Sequence, residues 1–342
     1  MSFQQLADRI VEAAVVEDRA FSDLLPQLVQ ASQTASPAEM NAGLPRLAEG
    51  IAEAPPNLGG WLAVISGSCI EKGADPDSVG AALVHRISEV TAAALAFANA
   101  WDQATGGKPP DMQEGEPSQE IFDTVAPHLG DGAVTAMMSW FALPQFTMAG
   151  CTVLQMGPSV RAGIAERDFL AFAAEQAVQY VGQMSHYHSL LRVLDGERLL
   201  VLDRASRKGW TVTIGGIGDN FQLHVLLAGA LIGRPGGLTG DRPAPEIIAC
   251  FLNADTPPGR PIISSPWNLV DAHGEPIWNE GVPADIPVVN GTRVVVIDPP
   301  SYKRTFPAGR RFPLMPATLR LDGMHLPEDL DAWWPHIKEP TR

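Results

Sequence analysis

Two histidines stand two residues apart in Ser185-His186-Tyr187-His188, a pairing that suggests a metal site. Helical geometry argues against it, because residues two apart point to nearly opposite sides of a helix. His188 falls on an apolar seam made by Leu170, Ala174, Ala177, Val181, Met184, His188 and Leu191, whereas His186 faces elsewhere. An imidazole on such a seam is either a hydrogen-bonded core group or a proton-exchange site that meets His224 or a carboxylate across a helix interface. Zinc would need a further ligand that the sequence does not offer, so no metal is expected.

The segment Gly215-Gly216-Ile217-Gly218-Asp219-Asn220 follows a β-rich run and opens an apolar helix. Gly215, Gly216, Gly218, Asp219 and Asn220 suit a phosphate- or adenosine-bearing ligand held by backbone N–H groups at a helix N-terminus. Phe221 stands where a dinucleotide fingerprint needs its third glycine, and no Lys-Ser/Thr follows as in a P-loop. The alternative is a capping box, Asp219 with Gln222 three residues on. Trp267 and Trp278 either line a ligand cleft or pin irregular loops onto a core.

The run Val294-Val295-Val296-Ile297-Asp298-Pro299-Pro300-Ser301-Tyr302 reads as a strand ending in a Pro-fixed turn. Its Asp-Pro-Pro followed by an aromatic also resembles the substrate-amine motif of S-adenosylmethionine-dependent amino- and nucleic-acid methyltransferases. That resemblance implies that Asp298 and Tyr302 contact a substrate base or amine, and that the loop 215–220 holds S-adenosylmethionine. It extends to these two segments only. The 40 residues after Tyr302 are too few for the remaining strands of a complete methyltransferase sheet.

Composition bounds what these residues can do. The chain has 342 residues, with 45% hydrophobic and 18% charged side chains, which excludes a disordered chain, a collagen-like repeat and a small disulfide scaffold. Residues 1–197 hold 9 Lys+Arg against 24 Asp+Glu, and residues 198–342 hold 15 of each. The net charge of −15 argues against nucleic acid as a partner, since the acidic half would repel a polyanion. Lys303, Arg304, Arg310 and Arg311 form the one dense basic cluster, and they are expected to dock on the acidic half or on an external anion. Cys69, Cys151 and Cys250 lie far apart without a C-x-x-C pair, which fits a reducing cytoplasm. The N-terminus reads as an amphipathic helix without a basic n-region, so a cleaved export signal is not expected.

The elements that position the site residues follow from hydrophobic period. Residues 79–101 carry apolar side chains at spacings of three and four, a half-buried helix. Residues 133–160 have no charged side chain, yet Pro144 and several polar residues interrupt them. They read as a buried helix pair broken at Pro144 in place of a membrane span. Residues 105–118, rich in Pro, Gly and acids, are a loop. After Glu197 the period changes. Residues 198–203 and 210–214 form a hairpin, 221–232 a helix, and 246–252 and 293–297 further strands. Eighteen of the 30 prolines lie at or after Pro235.

The sequence therefore implies an all-α acidic helical domain, residues 1–196, followed by a smaller α+β domain with long Pro-rich loops, residues 197–342. Two functions fit. One is a cytoplasmic interaction or regulatory protein that binds a protein partner or a second copy of itself. The other is an enzyme whose inter-domain site binds a small molecule at the loop 215–220, with His188, His224 and Asp298 as acid/base groups. No membrane association is expected in either.

Overall fold

Apolar residues recur at spacings of three and four up to residue 191 and in continuous apolar runs thereafter. The chain divides into two units, Met1–Leu191 and Arg192–Arg342. The first is helical and the second, smaller, is α+β with long Pro-rich connections. The structure is a computed structural model and describes residues 1–300 and 304–341. Tyr302 and Lys303 thus lie outside the described residues.

The helical unit contains α1 (Phe3–Val15), α2 (Ala20–Thr34), α3 (Pro37–Glu53), α4 (Pro56–Glu71), α5 (Gly80–Thr105), α6 (Gln119–Leu129), α7 (Ala133–Met156), α8 (Pro158–Ala162), α9 (Arg167–Ala177) and α10 (Met184–Leu191). Local chemistry sets several ends. Ser2 with Gln5 and Ser36 with Glu39 close reciprocal capping boxes on α1 and α3. Gly106 ends α5 at φ 66°, a left-handed position that glycine adopts without a Cβ penalty. The loop after it is ordered: Trp140 donates from Nε1 to the Pro110 carbonyl at 2.9 Å, and Met112 is buried.

Helix α5 is long and apolar enough to cross a membrane by length and composition. Its Leu83, Ile87, Val90, Ala94 and Phe97 are buried inside the unit, where it packs on α7, α6 and α9. Helix α7 corrects the expected break at Pro144, because one helix runs through the proline from Ala133 to Met156. A proline removes one backbone hydrogen bond and crowds the preceding turn. Here α4 and α5 flank the helix, and burial of Trp140, Leu143, Phe146, Thr147 and Gly150 outweighs that penalty. The seam from Leu170 to Leu191 is corrected in the opposite sense. Its apolar positions are buried, but α9 stops at Ala177 and α10 starts at Met184. Gly182 lies in the gap, where glycine costs about 1 kcal/mol relative to alanine in a helix.

The second unit contains β1 (Asp195–Asp203), β2 (Gly209–Gly215), α11 (Asn220–Leu231), α12 (Pro245–Leu252), β3 (Ile262–Ser264), β4 (Asn268–Asp271), β5 (Val288–Val289), β6 (Thr292–Asp298), β7 (Thr305–Pro307) and β8 (Thr318–His325). The main sheet has the order β4-β6-β1-β2-β8, with β5 also on β6, while β3 and β7 pair separately. β1 and β2 form an antiparallel hairpin, and β1 runs parallel to β6. Leu199, Val201, Val212, Ile214, Val295 and Ile297 pack under α11 and α12. On the opposite face Leu200, Leu202, Val294 and Val296 pack against Leu330, Trp334 and Ile337. Burial on both faces explains the unbroken apolar runs of β1 and β6, a pattern usual in covered sheets.

Residues 246–252, expected as a strand, are helical. Pro245 occupies the first helical turn, Glu246 adds an N-terminal acid, and Ile247, Cys250 and Phe251 recur at helical spacing as the buried face.

Candidate functional site

The site is built entirely from the Arg192–Arg342 unit, starting at the N-terminus of α11. Asp219 caps the helix by accepting the Gln222 N–H at 2.8 Å, and Gln222 Oε1 accepts the Gly218 N–H at 2.8 Å. Gly216 donates to Asp195 Oδ1 at 3.1 Å. The Asn220 and Phe221 amides both reach the Asn279 carbonyl, at 3.0 and 3.2 Å. The amides of Gly216, Gly218, Asn220, Phe221 and Gln222 are thus committed within the fold, and Gly215 pairs in the β1–β2 ladder. These contacts form a helix cap with glycine-permitted tight packing, the second of the two readings that the sequence offers for this loop. Burial raises the Asp219 carboxyl to about 6, against the lowering pull of the Gln222 N–H and of Arg311.

The cap has a second role: it holds the segment after β4 in place. Asn220 Nδ2 donates to the Trp278 carbonyl at 2.8 Å. The clamped residues form one wall of a cavity of about 880 Å³, together with Phe221, Arg204, Asp298, Arg304 and Glu339. Trp278 is 73% exposed, so it lines this opening and does not pin a loop to the core. Trp267, by contrast, is partly buried against the core cluster.

Asp298 is the chemical centre of the cavity. It ends β6, and the parallel register that sets Asp203 opposite Ile297 brings Arg204 beside it. Arg204 Nε donates to Asp298 Oδ1 at 2.7 Å, and Arg204 Nη2 reaches the Lys338 carbonyl at 3.1 Å. Asp298 is only 6% exposed, and its Oδ2 has no hydrogen-bond partner among the described residues. Leaving a buried carboxylate oxygen unpaired costs about 1–3 kcal/mol, more for a charged group. Among the described residues, the charged groups lining the cavity are Glu280, Asp298 and Glu339 with Arg204 and Arg304.

His224 lies on α11, three residues after Phe221, and is fully buried. Its Nδ1 is 2.8 Å from Ser265 Oγ. Burial, assisted by the Arg304 charge, lowers its pKa to about 3, with the Asn279 side chain acting weakly in the opposite sense. The ring is therefore neutral at physiological pH. Both residues line a second cavity, of about 480 Å³. His188 belongs to the helical unit, half-buried on α10, with His186 exposed beside it. Of the basic cluster, Arg304 lines the larger cavity, Arg310 donates to the Pro313 carbonyl at 2.6 Å, and Arg311 acts on Asp219.

Arg204, Ser265 and Asn279 are functional candidates that residue type and spacing do not single out. Arg204 reads as part of a polar turn, and only the β1–β6 register reveals its partner. Ser265 has no motif around it. Among the described residues, no group of three or more His, Cys, Asp or Glu is placed to hold a metal ion. No protein-family model, curated protein or solved structure matches the chain, so the geometry alone carries the functional argument.

Proposed function

We propose that the chain binds a small aromatic amine in the 880 Å³ cavity, with the ligand's N–H group on Asp298 and its ring against Trp278 and Phe221. The observation that carries this reading is that Asp298, whose buried Oδ2 has no hydrogen-bond partner among the described residues, lines a cavity of ligand size. A carboxylate is an acceptor only, so its unpaired oxygen selects a ligand N–H donor. Aminopurines such as adenosine share the aromatic ring and the N–H donor but carry no positive charge at neutral pH. If the bound molecule is transformed as well as held, Asp298 is the group placed to take its proton. Three free cysteines, Cys69, Cys151 and Cys250, support a reducing cytoplasmic location.

A thermal-shift screen of arylalkylamines and adenosine against matched molecules lacking the N–H tests the reading. A ligand at one hundred times its Kd stabilises the native state by about 2.7 kcal/mol. The donors are expected to raise Tm and the matched analogues are not. Equal response to both classes contradicts the assignment.

A second reading, self-association, has its own observation. Phe169 and Phe172, three residues apart on α9, are 58% and 61% exposed, while Leu170 and Ala174 on the same helix are buried. Two bare phenyl rings on one helix face are the kind of apolar patch that a second copy of the chain covers. The expected result is a concentration-dependent dimer in analytical ultracentrifugation that Phe169→Ser with Phe172→Ser abolishes. A monomer at all concentrations contradicts it.

A further inference from the structure

The second cavity carries chemistry that ligand binding at Asp298 does not use. It is lined largely by apolar side chains, including Val225, Ile247, Ile262, Ile263 and Phe306, and its polar residues include His224 and Ser265. Ser265 is 7% exposed and follows β3, where its backbone N–H donates to the Arg304 carbonyl at 3.0 Å and fixes its position. In the tautomer with the ring proton on Nε2, His224 Nδ1 accepts the Ser265 hydroxyl proton across 2.8 Å. The Asn279 side chain also acts on the ring, favouring the protonated imidazole, and among the described residues His224 Nε2 and Asn279 Oδ1 are both buried without a hydrogen-bond partner. A hydroxyl, a base within hydrogen-bond reach and a third polar group beyond the base are the parts of an activated nucleophile.

The geometry points to Ser265 as a nucleophile that His224 serves as proton acceptor, acting on an ester with an apolar acyl chain held in the 480 Å³ cavity. Ser265 Oγ bonds the acyl carbon as its own O–H bond breaks. The proton passes to His224 Nδ1 and from there to the leaving alkoxide, which departs as an alcohol. Water then attacks the acyl-serine, giving up a proton to Nδ1. The carboxylic acid is released as Ser265 takes that proton back.

The test treats the full chain with an alkyl fluorophosphonate, which reports the first step because the Oγ–P bond forms as fluoride leaves. One adduct is expected by intact mass, mapped to Ser265 and absent from Ser265→Ala. That variant removes a single oxygen and is the decisive one, because replacing the fully buried His224 endangers the fold. The labelling rate is expected to stay flat from pH 5 to 8, since the imidazole is already neutral throughout. No adduct, an adduct that survives Ser265→Ala, or a rate that titrates near pH 6.5 would each overturn the assignment.

Discussion

Asp219→Asn is expected to stabilise the protein at neutral pH and to leave it unchanged in acid. Burial holds the native carboxyl at about 6, above its ordinary value of 3.8. Below both values the group is protonated in folded and unfolded chains alike, and it contributes nothing that varies with pH. As pH rises through that interval the unfolded chain releases its proton first, so the folded state loses stability until its own carboxyl ionises near pH 6. The full loss is roughly 3 kcal/mol, from 1.36 kcal/mol per pKa unit. Asparagine stays neutral and still accepts the Gln222 N–H, since Asn and Asp cap helices comparably. The difference between variant and wild type should therefore grow from near zero at pH 4 to about 3 kcal/mol at pH 7, read by urea denaturation. His224 acts in the opposite direction in both proteins, because its lowered pKa costs stability as pH falls below about 6.5, and it cancels in the comparison. A difference that is constant with pH would mean that folding does not raise the Asp219 carboxyl above its ordinary value.

Gly216→Ala is expected to be strongly destabilising for a single added methyl group. Gly216 has φ 64°, and a Cβ there would lie 2.1 Å from the Pro316 carbonyl oxygen. Left-handed strain costs about 1–3 kcal/mol in a non-glycine residue, and a clash with backbone cannot be relieved by a rotamer change. Because the cap also positions Asn279 and Trp278, the cavity should distort with it. A loss of about 3 kcal/mol or more is expected by chemical denaturation, together with loss of ligand-induced stabilisation. A loss below about 1 kcal/mol would show that the β2–α11 turn is not held as described.

Both effects converge on a turn that the sequence marks by composition but not by role. The glycines, Asp219 and Gln222 are legible as either a ligand loop or a cap, and what decides between them is the set of acceptors supplied by Asp195 and Asn279, distant in sequence. The helical-then-mixed architecture is legible for a stronger reason. Continuous runs such as Leu199-Leu200-Val201-Leu202 and Val294-Val295-Val296-Ile297 arise where both faces of a strand are covered. The failures share a cause, which is tertiary packing overriding a local signal. Pro144 reads as a break until α4 and α5 flank it. The adjacent Ile247 and Ile248 read as strand until their positions relative to Cys250 and Phe251 are set against the sheet. Asp298 is visible by residue type at a strand end, but its pairing with Arg204 depends on strand register, which one sequence does not display.

The most direct test of the central claim is isothermal titration of the wild-type chain and of Asp298→Asn with the best-responding amine and its alcohol analogue. Asparagine keeps the shape and removes the acceptor-only carboxylate, so Arg204 remains but the ligand's charged partner is lost. Removing one side of a charge-assisted hydrogen bond costs about 2–5 kcal/mol in binding. Wild type should therefore bind the amine at least thirtyfold tighter than the variant does, while the alcohol binds both weakly and alike. Equal amine affinity in the two proteins would place the ligand away from Asp298 and contradict the account.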